Sequence, residues 1–136
     1  METFILNQDI KVFCVTAKSF PDGVLQAHQT LHALVNFTPE RKYFGLSWPH
    51  NGKIIYKAAA EEFKIGELSR HNLEEFIIAK GSYIYTVVKD FMKNIPAIGM
   101  AFEKLTADKR IDPSGICVEW YLNESDCQCM IRMKDN

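Results

Sequence analysis

The chain lacks any apolar run approaching the roughly 20 residues that a membrane helix requires. Its start, METFILNQDIKVF, also lacks the basic, apolar and small-residue regions of a secretory signal. Together these absences predict a cytoplasmic protein with no membrane partner. An excess of one charge is missing too: the net charge is −1 and the lysines are scattered. The basic face that neutralises phosphates is therefore absent, and no direct nucleic-acid partner is expected. No low-complexity tract is present, so the chain is expected to be ordered from end to end.

Several chemical signatures are missing as well. There is no G-x-x-x-x-G-K-[ST] loop, no G-x-G-x-x-G turn and no G-x-S-x-G elbow, which removes the common nucleotide-binding and esterase routes. Four cysteines occur, Cys14, Cys117, Cys127 and Cys129. Without an export signal they are expected as free thiols rather than disulfides. His28 and His32 have the separation of helical zinc ligands, but Gln29 stands where a zinc protease has its general-base glutamate. Cys127 and Cys129 lack a second ligand pair. No metal, no cofactor and no catalytic residue are expected, and the missing motifs favour a binding protein over an enzyme.

What is present is ordinary globular composition, 47% hydrophobic and 24% charged over 136 residues, which predicts one domain spanning 1–136. IKVFCVTAK reads as a strand, and Ser19, Pro21 and Asp22 then supply helix-start chemistry before VLQAHQTLHALV. Val24, His28, Leu31 and Val35 form its inward stripe. YFGLSW and KIIYKAAAEEF flank Asn51-Gly52, a strong hairpin signal. The same order returns as SYIYTVVKD, the helical NIPAIGMAFEKLTAD with the stripe Ile95, Ile98, Phe102 and Leu105, and the hairpin ICVEWYLN/CQCMIRMK. Between the halves lie a polar linker and one extra strand near residues 74–79. The expected fold is α+β: duplicated β-α-β-β units forming one antiparallel sheet with two helices.

Glu119 stands out because a carboxylate inside the apolar run ICVEWYL is costly to bury without compensation. Alternation puts Cys117, Glu119 and Tyr121 on one face. A bound cation fits that surround; so does an exposed edge-strand glutamate or one half of a salt bridge. The aligned residue in the first repeat is Gly45, which either opens a cleft or permits close backbone packing. Tyr83 and Tyr85 share a strand face, and Phe20, Phe91 and Ile95 lie near the two helix starts, so they are candidates for an aromatic-lined slot between the helices.

The duplicated order, the K-G-S-Y-I-Y strand entry, Y-F-G-L and above all V-E-W-Y-L resemble the GyrI-like family, the effector-binding domain of AraC-type and multidrug-sensing transcription regulators. The resemblance covers residues 1–135 and is greatest to the solitary members carried on integron cassettes, which bind cationic drugs. It implies a ligand cleft between the two halves, with Glu119 meeting the ligand's positive charge. Related regulators place a DNA-reading module ahead of this domain. Here the first strand begins within about ten residues of Met1, so regulation would need a separate partner. The expected function is a stand-alone sensor or sequestering protein, monomeric or homodimeric, for a cationic, aromatic small molecule. Its site would comprise Glu119, Tyr121, Tyr83, Tyr85, Phe20, Phe91 and Ile95. The alternatives the resemblance leaves are a hydrolase of electrophilic small molecules using Glu119 and an inhibitor of gyrase type.

Overall fold

A computed structural model of the chain describes residues 1–135, apart from the side chain of Arg70. Its strands are β1 (Glu2–Leu6), β2 (Ile10–Thr16), β3 (Tyr43–His50), β4 (Lys53–Glu61), β5 (Glu74–Ile78), β6 (Gly81–Val88), β7 (Cys117–Tyr121) and β8 (Cys127–Arg132). The helices are α1 (Val24–Leu34) and α2 (Pro96–Thr106), with single 3-10 turns at Ser69–His71 and Phe91–Lys93. The class is the α+β expected, with antiparallel strand pairing.

The chain divides into two compact units. One is contiguous, Ile10–Ile78; the other is split, combining Met1–Asp9 with the chain from Ala79 onward. Strand order in the contiguous unit is β5-β2-β4-β3, and in the split unit β1-β6-β8-β7. Both follow one scheme: an added edge strand, then the first, third and second strands of a β-α-β-β repeat. This shared order is the structural signature of the duplication read from the sequence. The extra strand near residues 74–79 is β5, whereas β1 is an element the sequence reading did not assign.

Local chemistry accounts for the turns. Asn51 and Gly52 both adopt positive φ, 52° and 76°, as a two-residue hairpin turn between His50 and Lys53 requires. Pro96 opens α2, where its missing N–H costs nothing. Helix α1 packs on β2 and β4, and α2 on β6 and β8. In the contiguous unit Ala27, Leu31 and Val35 are buried along the helix, and Phe13, Tyr43, Ala58 and Ala60 are buried on the sheet. In the split unit Ala101 and Leu105 cluster with Ile84, Cys127, Cys129 and Ile131.

The face of each sheet that carries no helix is also buried. Val12, Cys14, Phe44, Leu46 and Ala59 are inaccessible in one unit, as are Tyr83, Val118 and Met130 in the other. Burial on both faces explains why these strands read as continuous apolar runs instead of clean alternation. The four cysteines are free thiols. Neither helix is long and apolar enough to cross a membrane.

Candidate functional site

Glu119 sits in β7 opposite Cys129, and Tyr121, two residues on, lies opposite Cys127. Strand alternation directs both toward the face that carries α2, where Cys117 and Tyr121 pack against the Ile84–Leu105–Cys129 cluster. The Tyr121 hydroxyl donates to Glu119 Oε1 at 2.5 Å. The Phe91 ring leans on Tyr121 with centroids 5.5 Å apart. Phe91 belongs to the turn that leads into α2, and its amide donates to Ser125 O at 2.9 Å, which ties that turn to the β7–β8 hairpin.

The carboxylate therefore has an aromatic wall and a thiol floor. The Cys127 thiol is pushed far above its ordinary value, first by its contact with Cys129, then by burial, with the negative charge of Glu119 adding to both. Both floor cysteines are wholly buried, and Cys127 stays a protonated, soft, weakly polar surface rather than a nucleophile. A half-buried anion bounded by aromatic and sulfur surface is suited to a lipophilic cation.

The sequence-predicted residues do not all gather here. Glu119, Tyr121 and Phe91 do. Ile95 stands at the start of α2 with 52% of its surface exposed, one turn before the packed Ile98. Tyr83 and Tyr85 share a strand face, as expected, but it is the opposite one. Ile84 and Val88 take the helix side of β6, so the two tyrosines point away from Glu119. There Phe4 packs against both rings, at 5.7 and 5.3 Å. Their hydroxyls donate to Ala79 O at 2.5 Å and Glu2 Oε2 at 2.7 Å. Phe20 belongs to the contiguous unit and stacks on Tyr56 at 6.0 Å.

The sequence reading gave Tyr56 no role and weighed His28 only with His32, as a helical histidine pair and as part of the inward stripe. His28 Nε2 and the Tyr56 hydroxyl are 2.8 Å apart. The only available signal was a tyrosine in KIIYKAAA flanked by alanines, which reads as ordinary strand. His32 packs on Tyr43 and Phe37, so the two imidazoles serve separate aromatic contacts. Among the described residues no group of three or more His, Cys, Asp or Glu side chains is arranged to hold a metal ion.

Solved structures of the same architecture include an integron cassette protein of Vibrio cholerae, with TM-score 0.67 and 11% identity over 98% of this chain and 95% of that one. SAV2435 bound to tetraphenylphosphonium matches with TM-score 0.61 and 11% identity over 96% and 93%. A hydrolase from Listeria innocua matches with TM-score 0.60 and 10% identity over 98% and 90%. The chain shares the fold of these proteins. At these identities the likeness is one of fold. No protein-family profile matches the sequence, and no curated protein is similar to it.

Proposed function

We propose that this protein binds a small, lipophilic, cationic molecule and acts as a sensor or sequestering protein, with Glu119 neutralising the ligand's charge and Tyr121 and Phe91 supplying the aromatic contacts. The observation that carries this reading is the half-buried carboxylate set between an aromatic wall and buried, protonated sulfur. Placing an anion there costs desolvation free energy, and a bound cation offsets it. Support comes from a protein of the same fold that was solved with tetraphenylphosphonium, a cation of this class.

Equilibrium titration with tetraphenylphosphonium and with the anionic dye fluorescein tests the reading. The cation should bind and the anion should not, and Glu119→Gln should weaken the cation by about tenfold or more, equivalent to about 1.4 kcal/mol. Equal affinity of parent and variant would place the ligand's charge elsewhere.

A second reading is favoured by the hydrogen bond between Tyr121 and Glu119, a phenol and a carboxylate placed as a general acid and base could be. A protein of the same fold is described as a hydrolase. On this reading Glu119→Gln abolishes turnover of an electrophilic substrate and leaves its binding largely intact. For a binder the same change weakens affinity, and there is no turnover to lose.

A further inference from the structure

Among the described residues, Lys57 is the only charged residue that is buried, with 7% of its surface exposed. It lies in the contiguous unit, on β4, opposite Thr16 of β2 and Leu46 of β3. Alternation places it on the face that carries no helix, together with Cys14, which stands opposite Ala59 on β4 and Glu74 on β5. Its ammonium reaches diagonally across β2 to the Glu74 carboxylate and lies 5.8 Å from the centre of the Trp48 ring. Trp48 belongs to β3 and Phe76 to β5, the outer strands of this unit, yet their rings stack at 5.7 Å with planes 21° apart. The two half-buried rings therefore arch over the strands between them, beside the Lys57 amine.

An ion pair that merely fastened the edge strand would not need a buried lysine. The same strand is already fastened by Lys11 and Glu75, 2.9 Å apart, whose side chains are 45% and 54% exposed. Taking Lys57 out of water is costly, and a buried ion pair is often no more stabilising than apolar packing in its place. Burial lowers the Lys57 pKa, with a smaller opposing contribution from Cys14. The pair is open at one end. Glu74 keeps 53% of its side chain exposed and sits on an edge strand, beside exposed Thr16, so turning that one side chain outward uncovers the amine to solvent. A desolvated lysine beside a carboxylate and aromatic rings is the setting in which an amine becomes a nucleophile.

We propose that Lys57 forms a Schiff base with aromatic aldehydes, with Glu74 as its proton carrier and the Trp48–Phe76 pair as the surface on which the aldehyde ring lies. The Glu74 carboxylate takes a proton from the ammonium, and the freed Nζ lone pair attacks the carbonyl carbon. The carbonyl oxygen receives the two protons that the nitrogen gives up, relayed by Glu74, and leaves as water. A C=N bond replaces the C=O bond, and no electrons are gained or lost overall. The product nitrogen keeps one proton and its positive charge, so it stays paired with Glu74 and beside the Trp48 ring. This activity is separate from the cation site at Glu119 and does not depend on it.

Benzaldehyde and acetaldehyde, each trapped at pH 7 with sodium cyanoborohydride, test this by peptide mass spectrometry, because reduction fixes the imine as a secondary amine of known mass. Among the lysines, Lys57 should take up benzaldehyde about tenfold or more faster than any other, a small share of what positioning a reactant can supply. Its preference should shrink with acetaldehyde, which has no ring to stack. Lys57→Arg keeps the ion pair but forms no imine, and its remaining lysines should react as in the parent. Trp48→Leu should slow benzaldehyde at Lys57 by about 2–10-fold, the worth of one aromatic contact, and leave acetaldehyde within about twofold. Glu74→Gln should slow both aldehydes; a faster reaction would show a carboxylate that merely holds the ammonium charged and would overturn its assignment as proton carrier. Melting temperatures confirm that each variant is folded. Equal labelling across the lysines of the parent, or adducts on exposed lysines with none on Lys57, overturns the proposal and leaves the Glu119 reading untouched.

Discussion

Arg41 clamps Glu67: its Nη1 lies 2.7 Å from the carboxylate Oε1 and also 2.7 Å from the backbone oxygen of Glu61. The same carboxylate accepts the amides of Phe63 and Lys64, and the guanidinium rests 4.6 Å over the Phe63 ring. The connection from β4 to β5 is thereby fastened to the start of β3. Hydrogen bonding from Arg41 is the main cause holding the Glu67 carboxyl at a pKa of about 2. A folded-state pKa below the unfolded value stabilises the protein above the unfolded pKa, and this contribution is lost as pH falls from about 5 toward 2. Glu67→Gln should lower the melting temperature by about 3–8 °C at pH 7, with the difference shrinking below about pH 4.5 and closing only as pH falls to about 2 or below. A constant difference across that range would show that the charge is not what holds the loop.

His28 adds a second, less acidic window with its own signature. It is buried neutral, with a pKa of about 4 against an ordinary 6.5. The unfolded chain takes up a proton that the folded chain refuses, so stability is full above about pH 6.5 and declines as pH falls toward 4. Thermal melts at pH 7.5 and 5.0 should show the parent losing stability and His28→Phe losing less of it. An NMR titration of His28 with a midpoint near 6.5 would contradict the burial described.

Thiol reactivity should follow burial. The Cys14 thiol is pushed up to about 12, mainly by desolvation, and Cys127 rises through Cys129 and burial. Native protein treated with iodoacetamide at pH 8 should be labelled first at half-buried Cys117, with Cys14, Cys127 and Cys129 labelled only after denaturation. Mass spectrometry of the peptides reads this directly. Early labelling of Cys129 would mean that the floor beneath Glu119 opens.

The two faces of β6, β7 and β8 predict a division among tyrosines. Tyr121→Phe should alter cation affinity, because the hydroxyl touches Glu119. Tyr85→Phe should not, because its hydroxyl meets Glu2 on the opposite face. Tyr83→Phe should cost about 1 kcal/mol of stability through the lost bond to Ala79 O, again without effect on binding. Isothermal titration together with melting curves distinguishes the three, and an affinity change in Tyr85→Phe would refute the assignment of faces.

The elements that sequence made legible were those whose local chemistry is unambiguous. Asn51-Gly52 can satisfy two successive positive φ values, so its hairpin was readable, and Pro96 marked the start of α2. Glu119 was legible because one carboxylate interrupts an apolar run. Facing was not. Tyr83 and Ile84 face opposite ways and both are buried, and a strand buried on both sides carries no hydrophobic signal of which residue meets the helix. Ile95 looked like the first member of a helical stripe, but it lies just before the first helical residue, where the periodicity does not yet bind it to the core. Tyr56 was hidden for a related reason: its partner His28 is distant in sequence, and no spacing rule connects a helix histidine to a strand tyrosine.

The split unit takes its edge strand β1 from the very beginning of the chain, while β6, to which β1 pairs, starts at Gly81. During synthesis Glu2–Leu6 therefore emerges long before its neighbour exists. At typical elongation rates of about 5–20 residues per second the wait is on the order of 4–15 seconds. Throughout that interval an apolar segment without lysine or proline to blunt its edge is available to other chains. The stretch Ile10–Ile78, by contrast, leaves the ribosome with all four of its strands in one piece. Aggregation during expression should accordingly begin at the amino-terminal strand, and joining that strand ahead of Ala79 in a circularly permuted chain should relieve it.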